Sequence, residues 1–210
     1  MKLEVPFYRQ TMDFTCGAAC LVMVLSFFDS GFVMGRDSEM DLWREGTSVL
    51  ALGMGRYGLS LPLLRRDCTV KIRTNVKGIE FLERISRRLG PHEMSIFREI
   101  YMERKDRAIR MGLVEEETQD FGEKEILEAF NEGKVPVLLT DASALGDDEA
   151  PHWIVITGIE DNMLYFNNPL DRKETVLPLS ELKRINGFHG EKILLVTGMM
   201  KSKGAVTSYS

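Results

Sequence analysis

Thr15-Cys16-Gly17-Ala18-Ala19-Cys20, followed by the apolar run Leu21-Val22-Met23-Val24-Leu25, is the stretch on which the reading of this chain turns. Ala, Leu and Met favour helix, and Thr15 has the side chain of an N-cap. Cys16 then falls in the first turn of a buried helix, where unpaired backbone N–H groups and the helix dipole favour negative charge. A thiol there loses its proton more readily, and the thiolate is the nucleophile. The same residues also describe a plain core helix with two small buried cysteines, because free Cys is among the most buried residue types. Residues elsewhere in the chain decide between the two.

The 210 residues suit one domain, expected over 1–200 with a helical insertion near 90–120 and a flexible tail over 201–210. Hydrophobic residues make up 44% and charged residues 28%, so the chain buries a core without disulfides or metals. A net charge of −5 with mixed signs predicts no nucleic-acid partner. Cys16, Cys20 and Cys68 do not make a disulfide framework, and no basic-then-apolar leader opens the chain, so the expected location is cytoplasmic. The longest apolar run, 18–25, is too short for a bilayer, and no membrane partner is expected.

Taken in order, 1–14 is an extended entry segment, because Pro6 fixes φ and biases Val5 to extended geometry. A helix over 16–29 follows, then a second from Ser38 as N-cap, with Asp41 in a capping-box place. Gly53-Met54-Gly55-Arg56-Tyr57-Gly58 has the letters of a phosphate-binding loop but follows a helix, so its glycines are read as turning the chain into a short helix over 59–66. A period-two strand covers 69–74 and an amphipathic helix 79–85. A long charged helix covers 92–112, with an apolar stripe of Met94, Phe97, Ile100, Tyr101, Ala108 and Met111; it is long enough to cover a cleft. An acidic loop at 115–118 and a helix over 123–131 follow. Strands are then expected at 135–140, 153–158, 163–167, 175–177 and 192–197, with a short helix at 180–185. The fold class is α+β: a helical N-terminal half packed on an antiparallel sheet from the C-terminal half.

A nucleophilic cysteine needs a base, a group to orient the base, and donors for an oxyanion. Of the three histidines, His92 and His189 read as surface residues. His152 lies at the mouth of the most apolar strand, where a ring is held rigidly and still faces a cleft, although a half-buried strand-end histidine has the same surroundings. A hairpin starting at His152 and ending at Asn168 brings those two residues together. Asn168 before Pro169 also suits a turn, and Asn167 and Asp171 are alternatives. Gln10 precedes Cys16 by six residues, so its amide is a candidate donor beside the Cys16 N–H; it also reads as a plain loop residue. Asp13 either tunes the Cys16 loop or fixes a turn. Cys20 reads as a helix-packing residue and Cys68 as a core thiol. Their spacing does not suit zinc, and no metal or cofactor is expected.

The blocks Val5-Pro6-Phe7-Tyr8-Arg9-Gln10, Asp13-Phe14-Thr15-Cys16-Gly17-Ala18-Ala19, Pro151-His152-Trp153-Ile154-Val155-Ile156-Thr157-Gly158-Ile159 and Phe166-Asn167-Asn168-Pro169 resemble those of the bacteriocin-processing, double-glycine leader peptidases. That family is a branch of the papain-like cysteine peptidases, and Leu42-Trp43-Arg44-Glu45 and Tyr57-Gly58-Leu59 resemble its stand-alone members. The resemblance implies a papain-like fold, a peptide or protein substrate and hydrolysis of a peptide or isopeptide-like bond. It implies the roles Gln10 oxyanion donor, Cys16 nucleophile, His152 base and Asn168 orienter. Acyl transfer on the same scaffold, or peptide binding without catalysis, are the alternatives. The family usually carries Asp where Asn168 stands. These 210 residues also have no counterpart of the transporter to which the leader peptidases are joined, so double-glycine specificity is not expected to carry over.

Overall fold

A computed structural model describes residues 1–48, 52–76, 89–118, 120–171 and 173–200. The described residues form α1 (Cys16–Phe28), α2 (Arg36–Gly46), α3 (Arg56–Leu64), β1 (Cys68–Thr74), α4 (Pro91–Arg110), β2 (Val114–Glu117), α5 (Glu123–Asn131), β3 (Val135–Asp141), β4 (Pro151–Glu160), β5 (Met163–Asn167), β6 (Thr175–Pro178), α6 (Leu182–Ile185) and β7 (Ile193–Met199). The helix expected at 79–85 and the tail from 201 lie outside the described residues.

The strands make one sheet in the order β2-β1-β7-β3-β4-β5-β6, antiparallel throughout except for the β1–β2 pair. Alternate residues along each central strand divide between two cores, as period-two geometry requires. Val137, Leu139, Trp153, Val155 and Leu195 join the core built on α1, α2 and α3. Leu138, Ile154, Ile156 and Leu194 join the core containing Ile126 and Phe130 of α5 and Ile185 of α6. Helices thus cover both faces of the sheet, and for that reason β3, β4 and β7 read as continuous apolar runs rather than alternating ones. Helix α1 is buried from Cys16 to Leu25, so it is apolar on every side.

The α+β layout holds, but the sheet does not come from the second half alone: β1 and β2 extend it through β7. The acidic segment expected to be a loop is β2. Its carboxylates have cross-strand partners that a linear reading does not reveal. Glu116 pairs with Lys71 (2.8 Å) and Arg73 (2.9 Å) on β1, and Glu115 accepts from the Tyr57 hydroxyl at 2.9 Å. Opposite charges across a ladder favour a strand that propensity alone disfavours.

Helix α2 starts before Ser38, whose hydroxyl donates to the Val33 carbonyl at 2.7 Å instead of capping. Helix α3 starts at Arg56, earlier than the glycine spacing predicts, and takes Gly58 into its interior. The reason is contact. A Cβ on Gly58 would lie 2.2 Å from the Gly46 carbonyl oxygen, and one on Gly46 would lie 2.4 Å from that of Gly58. The two backbones touch, and only glycine on both sides permits it. Gly58→Ala is therefore expected to cost about 1–3 kcal/mol in urea unfolding through overpacking. Gly55→Ala, which meets nothing within 4 Å, is the control and should stay close to wild type.

Candidate active site

Three side chains from distant parts of the chain meet at one end of α1. Cys16 is in its first turn, His152 is the second residue of β4, and Asn168 follows β5. They are 8%, 4% and 4% exposed, so the group is shielded from bulk water but not sealed. His152 Nε2 lies 2.8 Å from Asn168 Oδ1. The same ring lies near enough to the Cys16 thiol to shift its titration, and with Nε2 turned to Asn168 the nitrogen left to the sulfur is Nδ1.

The hairpin brings His152 and Asn168 together with the help of a bulge. Glu160 pairs with Met163 and Gly158 with Tyr165; then the register slips by one, and Ile156 pairs with Phe166 and Val155 with Asn167. The extra residue is Thr157, and the ladder closes at Val155–Asn167, one residue before Asn168. Asn168 therefore leaves the ladder beside the start of β4, where its side chain meets the His152 ring. The alternatives to Asn168 are occupied elsewhere. The Asn167 amide donates to the Val5 carbonyl (3.2 Å), and Asp171 accepts from the Thr175 hydroxyl (2.5 Å). His92 is exposed, and His189 pairs with Glu149 at 2.6 Å.

Burial pushes the Cys16 thiol up, but the hydrogen bond and charge of His152, with the backbone groups of Trp153 and Gly17, outweigh it and hold the thiol below its ordinary value. Burial pushes the His152 imidazole down; Cys16, then Asn168 and the charge of Asp147, reverse this and hold it above the ordinary value. The two shifts favour a shared thiolate–imidazolium state, and the pair titrates as a unit. Cys20, one turn along, behaves oppositely. Burial and the neighbouring Cys16 raise it well above an ordinary thiol, and its sulfur donates to the Trp153 carbonyl at 3.3 Å. It is a packing residue.

Gln10 is half-buried, and its backbone N–H donates to the Pro169 carbonyl at 3.0 Å, which ties the entry segment to the chain just after Asn168. Its side-chain amide donates to the Met12 carbonyl at 2.9 Å, leaving one N–H to offer elsewhere.

One residue at the site escaped the sequence reading. Glu39 of α2 is fully buried, and its carboxylate accepts from four donors on the entry segment. These are the Thr15 hydroxyl (2.5 Å), the Thr11 N–H (2.9 Å), the Thr11 hydroxyl (2.6 Å) and the Tyr8 hydroxyl (3.1 Å). Burial, then the Glu39 charge, push the Tyr8 hydroxyl up to about 12. Thr15 does occupy the N-cap position of α1, but its hydroxyl serves Glu39 rather than the helix. Asp13, the expected candidate for tuning this loop, is exposed. A signal was present: Glu39, Leu42 and Gly46 are the buried residues of α2 and recur at helical spacing, which places Glu39 on the inward face.

Among the described residues, no group of three His, Cys, Asp or Glu side chains is arranged to hold a metal ion, and no helix is long and apolar enough to cross a membrane.

A family model described as "Peptidase_C39 like family" matches residues 5–185. Among solved structures, the chain is similar to a double glycine motif protease from an AMS/PCAT transporter, crystallised in complex with the leader peptide. The identity is 16%, the alignment covers 95% of this chain and 94% of that one, and the TM-score is 0.51. It is also similar to the peptidase domain of Streptococcus ComA, a bi-functional ABC transporter involved in a quorum sensing pathway, at 12% identity, 94% and 100% coverage and a TM-score of 0.51. These likenesses show a papain-like C39 peptidase fold. No functionally curated protein matches the sequence significantly.

Because four donors converge on Glu39, Glu39→Ala removes the acceptor of the buried Thr15 hydroxyl and the half-buried Tyr8 hydroxyl, at about 1–3 kcal/mol for each that finds no other partner or water. Urea unfolding should register a loss of at least that size, with faster alkylation of Cys16 as the helix end loosens. Wild-type stability in that variant would rule out the anchoring role.

Proposed function

The chain belongs to the C39-like peptidase family, and from that premise we propose that it is a cysteine peptidase that hydrolyses a peptide or isopeptide-like amide bond. The observation that carries the proposal is the grouping of Cys16, His152 and Asn168 at the N-terminus of a buried helix, with the ring hydrogen-bonded to Asn168 and close enough to Cys16 to lower its pKa. The relative crystallised with a leader peptide supports a peptide or protein as the substrate class.

In the proposed reaction the Cys16 thiolate attacks the scissile carbonyl carbon. The carbonyl oxygen becomes an oxyanion, held by the Cys16 backbone N–H and the Gln10 amide. His152, protonated in the resting pair, gives its proton to the departing amine as the C–N bond breaks, leaving a thioester on Cys16. Water then adds to the thioester with His152 accepting its proton. Collapse releases the carboxylic acid and restores the thiolate–imidazolium pair. Asn168 keeps the ring oriented and its Nε2 occupied, and so acts as a positioning residue.

Cys16→Ser should abolish labelling by a thiol-directed peptide electrophile and turnover of any substrate found in a peptide-library digest. Undiminished labelling of that variant would overturn the assignment. His152→Ala should lower turnover by about 10²–10⁴-fold. Iodoacetamide alkylation of the wild-type protein should persist at pH values where an ordinary thiol is protonated, because the Cys16 pKa is lowered. In His152→Ala the alkylation profile should move up in pH, since the groups opposing burial are then largely removed. Asn168→Ala should move the His152 titration, followed by NMR, downward, because its hydrogen bond favours the charged ring.

A further inference from the structure

A cavity of about 130 Å³ opens beside Cys16 and runs beneath α4. Its walls are Met54 and Trp153 on the core side and Phe97, Ile100 and Tyr101 on the α4 side. The three α4 residues share one helix face by their spacing. Arg56, Arg104, Glu191 and Ser48 also line it; the charged groups are paired within the protein, and the buried Ser48 hydroxyl has no hydrogen-bond partner among the described residues. The Trp153 indole N–H donates to the Met54 carbonyl at 2.9 Å, and the Tyr101 hydroxyl accepts from Arg56 at 2.7 Å. The Tyr101 ring meets that of Tyr57 edge-on at 5.0 Å. Arg104, one turn further along α4, donates to the Gly46 carbonyl at 2.6 Å and to the Thr47 carbonyl, closing the end of α2 with a cation where the helix dipole favours one. Helix α4 is thereby fastened to α2 and α3, and the surface it turns to the cavity is mainly hydrocarbon.

On the reading of Cys16 as nucleophile, we propose that this cavity is the pocket that selects the substrate, and that it takes a leucine- or phenylalanine-sized side chain within two residues of the scissile bond. Size supports this: an apolar cavity of about 150 Å³ accepts a benzene molecule, whereas glycine would leave such a space empty. Position gives the side. Cys16 lines the cavity while His152, which must reach the leaving nitrogen, does not, although its neighbours Pro151 and Trp153 do, and on that ground the cavity is assigned to the acyl side of the sulfur. The outer wall of the pocket is α4.

The test compares peptidyl chloromethyl ketones that differ only in carrying Phe or Gly at the first or second residue from the reactive carbon. The Cys16 thiolate displaces chloride and forms a stable thioether, so labelling reads the pocket without requiring amide turnover. Each rate is normalised to that of iodoacetamide on the same protein. In one of the two positions the Phe reagent should be faster than the Gly reagent by about 10- to 100-fold, the value of burying one large apolar side chain. Ile100→Trp should fill the space and bring the ratio towards one. Ile100→Ala should enlarge it and speed a Trp-bearing reagent relative to the Phe one. Equal rates for Phe and Gly at both positions, or a ratio unmoved by both Ile100 variants, overturn the pocket. Selective labelling without cleavage of any matching amide overturns hydrolysis and leaves the pocket standing. Cleavage without side-chain preference does the reverse.

Discussion

Burying the first turn of α1 removes its backbone N–H groups from water, and much of the structure follows from the need to satisfy and fix that end. The usual device, a side chain at the N-cap, is not used: the Thr15 hydroxyl is turned to Glu39. Glu39 gathers Tyr8, Thr11 and Thr15 and so holds the whole entry loop against α2. The helix end that remains is free to act on what lies in front of it, namely the Cys16 sulfur and the backbone of β4. The electrostatics follow from this placement. Burial alone would keep the thiol protonated, and it is the His152 ring, brought up by β4, that reverses the balance.

Much of this was legible in the residues because the deciding signals are local. An all-round apolar helix, a histidine opening an apolar strand and a hairpin two strands long need only short-range reading, and they bring Cys16, His152 and Asn168 together in space. What was not legible depends on partners far apart in the chain. The run Glu115-Glu116-Glu117 reads as a loop until Lys71 and Arg73 stand beside it in β1. The glycines at 53, 55 and 58 read as turn formers, yet Gly58 is a contact surface for Gly46 inside a helix. Glu39 looks like any first-turn acid until the entry loop folds over it.

The charged helix α4 shows the same contrast at larger scale. Most of its side chains are wet, and its stripe of Phe97, Ile100 and Tyr101 is too short to demand burial on its own. Its position is fixed by polar contacts together with the buried Phe97 and Ala108. Arg56, buried at the start of α3, reaches Tyr101 on α4, Glu115 on β2 and Glu191 ahead of β7. Such a buried ionic cluster adds little net stability, because desolvation offsets attraction. What it supplies is geometry: it adds fixed polar contacts to elements that also meet in one apolar core, where Ala108 and Tyr101 of α4 pack with Tyr57 and Leu61 of α3.

The bulge at Thr157 carries a consequence for how this chain tolerates change in length. Side chains alternate along a strand, so the partnership across the β4–β5 hairpin is a matter of odd and even. One residue gained or lost between His152 and Thr157 would turn the imidazole to the opposite side of the sheet, however conservative the residue. At the Asp161-Asn162 tip, by contrast, extra residues can be looped out without disturbing the count. The hairpin is therefore rigid in arithmetic at its base and permissive at its tip, and length variation is expected to accumulate only at the tip.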